Sequence, residues 1–157
     1  MATGLKPREF VWVIAGKLAV AERIGGHGFQ HRRVRREEEI SWLREHGVTT
    51  VLSLLPGNQN LASYEDAGLS VIHEPLEIEV TPADVKRIFA ALTVCFSQDN
   101  AVVLVHRDHL DDSVAGILAG YLVHSGLLED PIVAAAVIQE IIGRPIGPEG
   151  RALIPDR

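Results

Sequence analysis

Residues 101–122 read AVVLVHRDHLDDSVAGILAGYL. Ala101–Val105 is an apolar run of strand length, and His106–Ser113 is polar. Val114, Ile117, Leu118, Tyr121 and Leu122 then recur at i, i+3, i+4, i+7 and i+8, the spacing of a helix with a buried face. A strand, a short polar loop and a helix together offer a helix N-terminus to an anion or a reacting group. The side chains oppose that use. Asp108, Asp111 and Asp112 are acidic, and the loop has no cysteine, lysine or glycine.

On either side of this stretch, strands and helices are predicted to alternate. Phe10–Ile14 and Lys17–Ala21 form a hairpin about Ala15-Gly16. Arg23–Gln30 (RIGGHGFQ) is glycine-rich, but it lacks the Gly-Lys-Ser/Thr of a P-loop and reads as a connector. Arg35–His46 is a helix with Ile40 and Leu43 inward, Glu37–Glu39 in its first turn, and Gly47 after it. Val48–Leu55 is a strand, Asn60–Ala67 a short helix, Leu69–Ile72 a strand and Glu74–Val80 an acidic connection. Thr81, Pro82 and Asp84 have the spacing of a capping box ahead of a long helix. Val85, Ile88, Phe89, Leu92 and Phe96 share one face of that helix. Asp130-Pro131 opens a helix to about Ile142. This order predicts one α/β domain over residues 1–157, with a mostly parallel central sheet flanked by helices. Ligands of such sheets bind at the carboxyl ends of the strands, which points back to His106–Ser113.

Composition narrows the function classes. A formal net charge of −6 argues against nucleic acid or an acidic membrane as the partner. The basic run His31–Arg36 passes directly into Glu37–Glu39 and reads as a solvated mixed-charge face. Cys95 is the only cysteine, so no intrachain disulfide is possible, and it lies beside an apolar helix face as a packing residue. No apolar run is long enough to span a bilayer, and MATGLKPREF is not a signal peptide. A cytoplasmic protein is expected. Ala134–Ala136 with Ile138, Ile141 and Ile142 read as core-facing, with self-association as their alternative use.

Several segments share an order and spacing with a known family. They are Trp12–Leu18 (WVIAGKL), WLREHGVTTVLSLLP, AGLSVIHEPL, the Thr-Pro-capped helix, and VLVH before the polar loop. From about Trp12 to Ile142 the chain resembles the small atypical dual-specificity members of the cysteine-based protein tyrosine phosphatases. The resemblance implies the signature H-C-x-x-G-x-x-R-[ST], with a cysteine nucleophile, an arginine that binds phosphate and an aspartate acid on an earlier loop. Laid on this chain, the histidine is His106. Arg107 stands at the cysteine, Leu110 at the glycine, Ser113 at the arginine and Val114 at the Ser/Thr. Asp108, His109, Asp111 and Asp112 occupy the variable positions. The general-acid loop falls on Glu77, Ile78 and Glu79, with Ile78 nearest the expected aspartate.

The family's chemistry does not transfer with the pattern. Attack on phosphorus needs a thiolate, and the Arg107 guanidinium stays protonated. Ser113 cannot supply a bidentate clamp, and three aspartates repel a phosphate dianion. The expected function is therefore that of a pseudophosphatase: a binding or regulatory module with a protein partner or a second copy of itself, and no cofactor. Two alternatives stand beside it. His106, Asp108, His109, Asp111 and Asp112 could hold a divalent metal, joined by His27 or His31 if the glycine-rich loop folds over them. A residual tyrosine or dual-specificity phosphatase could use Asp108 or Asp111 as nucleophile.

Overall fold

The computed structural model describes residues 4–26, 33–57 and 60–155. Five strands form one sheet: β1 (Val11–Ile14), β2 (Leu18–Glu22), β3 (Thr50–Ser53), β4 (Ser70–His73) and β5 (Val103–Arg107), in the order β1-β2-β5-β3-β4. β1 and β2 are the expected antiparallel hairpin, with Gly16 at φ +71° in the turn. The β2–β5, β5–β3 and β3–β4 pairings are all parallel.

Strand side chains alternate between two apolar layers. Leu18, Val20, Leu52, Val103 and Val105 enter one. Ala19, Ala21, Val51 and Leu104 enter the other. Helices α1 (Arg33–Glu45) and α2 (Leu61–Asp66) cover the second layer through Ile40, Leu43 and Tyr64. Helices α3 (Pro82–Phe96), α4 (Asp112–His124) and α5 (Pro131–Ile142) cover the first. A last turn, α6 (Pro148–Arg151), packs on α4. The capping box forms as the sequence predicts: Thr81 Oγ1 accepts from Asp84 N, and Asp84 Oδ2 accepts from Thr81 N. Ala134, Ala135 and Ile138 are buried in the chain's own core, and Cys95 is buried with its thiol pKa pushed up by desolvation. Among the described residues no helix is long and apolar enough to cross a membrane.

Two boundaries differ from expectation. β5 begins at Val103 and runs through Arg107, because His106 and Arg107 pair in register with Ala21 and Glu22 of β2. Helix α1 starts at Arg33, so Glu37–Glu39 lie past its first turn. The helix-dipole role assigned to those acids is therefore not theirs.

Candidate functional site

The extension of β5 divides the predicted loop. His106 and Arg107 are consecutive strand residues, so their side chains leave the sheet on opposite faces. His106 follows Leu104 into the α1/α2 layer. There it is fully buried, and its Nε2 shares a 3.4 Å hydrogen bond with the Tyr64 hydroxyl. Burial, then the charges of Arg23 and His73, hold its pKa down to about 3, so the ring is neutral near pH 7. Burial likewise keeps the Tyr64 hydroxyl protonated well above its ordinary range.

Arg107 enters the opposite layer, toward α4 and the segment before α3. Its side chain is 11% exposed. Nη1 donates to Asp111 Oδ2 at 3.2 Å, and Nη2 donates to the Glu77 carbonyl at 2.8 Å. The residue at the signature cysteine is thus tied to the residues at the general-acid loop. Glu77, Ile78 and Glu79 themselves are exposed, Ile78 by 97%.

The remaining loop residues are each held by a different neighbour. Asp111 is the N-cap of α4, its Oδ1 accepting from Val114 N at 3.0 Å. That carboxylate takes a helix N–H that an anion at this N-terminus would otherwise use. Asp112 turns away and accepts from Gly147 N and, at 2.7 Å, from Gly150 N. Leu110 is buried in the core, and its carbonyl accepts from the Arg144 guanidinium. Asp108 Oδ1 faces Arg23 Nη1 at 3.7 Å, and His109 Nδ1 faces Glu22 Oε2 at 3.8 Å. Ser113 instead lines a cleft of about 490 Å³ with Ile78, Glu79, Val80, Glu149 and Leu153.

The predicted metal set therefore does not assemble. His106 is sealed beneath the sheet, Asp111 and Asp112 cap backbone, and among the described residues no three His, Cys, Asp or Glu side chains converge as ligands. His27 and His31 lie outside the described residues. The two aspartates proposed as nucleophiles differ in their engagement. Asp111 is engaged by Arg107 and Val114 N. Asp108 has its Oδ1 out of solvent contact beside Arg23, while its side chain as a whole is 44% exposed.

No family model matches the chain, and no curated protein matches it in sequence. Solved structures match it in fold. Kinase associated phosphatase, in a form whose catalytic-site cysteine is replaced by serine, matches with TM-score 0.76 and 16% identity, over 95% of this chain and 93% of that one. The chain has the fold of the cysteine-based protein tyrosine phosphatases. P. aeruginosa TpbA, in complex with pTyr, matches at TM-score 0.68 and 17% identity, over 89% of this chain and 79% of its own. Human DUSP28 matches at 0.65 and 18%, over 95% and 92%. In this chain the end of β5 presents a buried guanidinium, that of Arg107.

The sequence reading missed a second polar cluster on the other face. Glu39 is fully buried rather than solvated. Its Oε1 accepts from Gly25 N at 2.7 Å and its Oε2 from Arg35 Nε at 2.8 Å. Arg36 Nη1 donates to Asn60 Oδ1 at 3.5 Å, and Asn60 Nδ2 donates to the Ile24 carbonyl at 2.7 Å. The expectation of a solvated face thus fails at Arg35, Arg36 and Glu39. One signal was available in the sequence: Arg35 and Glu39 are an i, i+4 pair beside Ile40, on the buried side of the helix.

Proposed function

We propose that this chain is a catalytically inactive phosphatase-like binding module. One observation carries the proposal. Arg107 stands where the family pattern has its nucleophile, and both ends of its guanidinium are engaged, by Asp111 and by the Glu77 carbonyl. A protonated guanidinium has no lone pair with which to attack phosphorus. Ser113, at the position of the clamping arginine, opens into the cleft beside Ile78 rather than onto the loop.

The same cleft suits a protein partner. Ile78 is an exposed apolar residue between two exposed acids, Glu77 and Glu79, and Glu149 lines the same cleft. That surface fits a segment with one apolar anchor flanked by Lys or Arg.

The test is hydrolysis of p-nitrophenyl phosphate by the purified chain across pH 5–8. No turnover above buffer is expected. Saturable turnover that is lost on substituting a loop residue would sink the reading.

A further inference from the structure

The α1/α2 face of the sheet gathers three arginines around the turn that follows β2. Arg23 belongs to that turn. Arg35 reaches it through Glu39, which also holds Gly25 N. Arg36 reaches it through Asn60, which also holds the Ile24 carbonyl. Among the described residues Arg35 pairs with Glu39 and Arg23 with Asp108, while Arg36 has only the neutral Asn60 as its hydrogen-bond partner and lines an open pocket with Glu37 and Asp66; the adjacent His106 and Tyr64 are uncharged. The side chains of Arg23 and Arg35 are only 16% and 14% exposed in this corner.

Their donors are not all paired. Arg23 Nε, Arg35 Nη2 and Arg36 Nε are each out of solvent contact, with no acceptor among the described residues. Buried donors are nearly always paired in folded proteins. Both oxygens of Glu39 are in use, and Asp108 Oδ1 is 3.7 Å from the nearest Arg23 nitrogen and itself unpaired. An anion able to complete this set needs several acceptor oxygens in a compact group, and an O–H for Asp108 would complete it further. Inorganic phosphate has both at neutral pH, a phosphomonoester has the O–H only as its monoanion, and guanidinium forks match the geometry of either.

We propose that Arg23, Arg35 and Arg36, gathered at the Ile24–Gly26 turn, form a binding site for a phosphate group, beside the degenerate signature loop and on the opposite face of β5 from Arg107. The bound species is inorganic phosphate or a phosphomonoester, which share the compact set of acceptor oxygens that the guanidinium donors need.

Inorganic phosphate is titrated into the intact chain at constant ionic strength by calorimetry, with the melting temperature followed in parallel. Saturable one-site binding and a rising melting temperature are expected. Arg36→Gln and Arg23→Gln should each weaken Kd at least tenfold. Lys86→Gln removes an exposed charge on α3 and should leave Kd unchanged. Arg35→Gln is avoided because it strips the buried Glu39 of its partner. Absence of saturable binding by the unmodified chain overturns the proposal, whatever the variants do. So does equal weakening by Lys86→Gln, which would mark non-specific attraction. Repeating the titration with O-phospho-L-tyrosine separates the sources: tighter binding assigns a phosphorylated side chain, equal binding the free ion. Because inorganic phosphate is not hydrolysed, its binding is read independently of whether the chain turns over an aryl phosphate.

Discussion

Arg107 Nη2 lies 2.8 Å from the Glu77 carbonyl oxygen, joining the end of the central strand to the segment that precedes α3. The resemblance places both residues at catalytic positions, and in the structure their contact ties two segments of the fold together. Arg107→Met keeps the stem and removes both hydrogen bonds. A stability loss of about 1.5–3 kcal/mol is expected by urea unfolding, the range for hydrogen bonds to charged groups. Amide exchange over residues 76–80 should quicken at the same time. Unchanged exchange there would mean that the segment is held by Leu76 packing alone.

Asp112 and Gly150 define a second anchor. Asp112 receives two backbone N–H groups from the C-terminal segment, and a Cβ on Gly116 would lie 2.1 Å from the Gly150 oxygen. Gly116→Ala must therefore push α6 off α4, and Asp112→Ala must leave two N–H groups without their acceptor. Trypsin cleavage after Arg151, which precedes Ala152, should accelerate in both variants while the melting temperature falls. If both variants resist trypsin as the parent does, the docking of this segment does not depend on these contacts.

His106 gives the fold an acid sensitivity of known sign. Its folded pKa of about 3 lies below the ordinary 6.5, first because of burial and then because of Arg23 and His73. The unfolded chain therefore binds the proton more readily. The stability this provides is complete above pH 6.5 and is lost as pH falls toward 3, by up to about 1.4 kcal/mol per pH unit. His106→Gln should flatten the dependence of the urea midpoint between pH 7 and 4.5. Identical slopes in parent and variant would show that carboxylates alone set the acid limit.

Restoring the signature requires more than its named residues. Arg107→Cys, Leu110→Gly and Ser113→Arg together rebuild the pattern, but Leu110 is 3% exposed and its loss costs on the order of 2–5 kcal/mol. Asp111 would still occupy Val114 N. The triple variant should gain tungstate affinity only when Asp111→Ala is added. A triple variant that binds tungstate as tightly as the quadruple one would show that the cap is no obstacle.

Much of the fold was legible along the chain. Thr81, Pro82 and Asp84 announced α3, and the Val114 to Leu122 stripe announced α4, because capping and helical periodicity are local. The β1–β2 hairpin followed from two short apolar runs about a glycine. The end of β5 was not legible. His106 and Arg107 are polar, and only pairing draws them into the strand, His106 between Ala21 of β2 and Ser53 of β3 and Arg107 beside Glu22 of β2. Glu39 was misread for a related reason. Its neighbours in sequence are charged, but its neighbours in space are Gly25 and Arg35, and hydrogen bonding to both makes its burial tolerable.

By itself, the sequence determined that residues 101–122 form a strand, a loop and a helix, and that no thiol, signature glycine or clamping arginine stands in the loop. Those facts depend on residue identity and on short-range periodicity. Only the tertiary structure decided where the loop's charges go. Arg107 closes on Glu77, Asp111 caps α4, Asp112 holds the C-terminal turn and His106 is sealed beneath the sheet. The physical reason is the strand's alternation. Adjacent residues on a central strand face opposite layers, and what each meets there comes from distant parts of the chain.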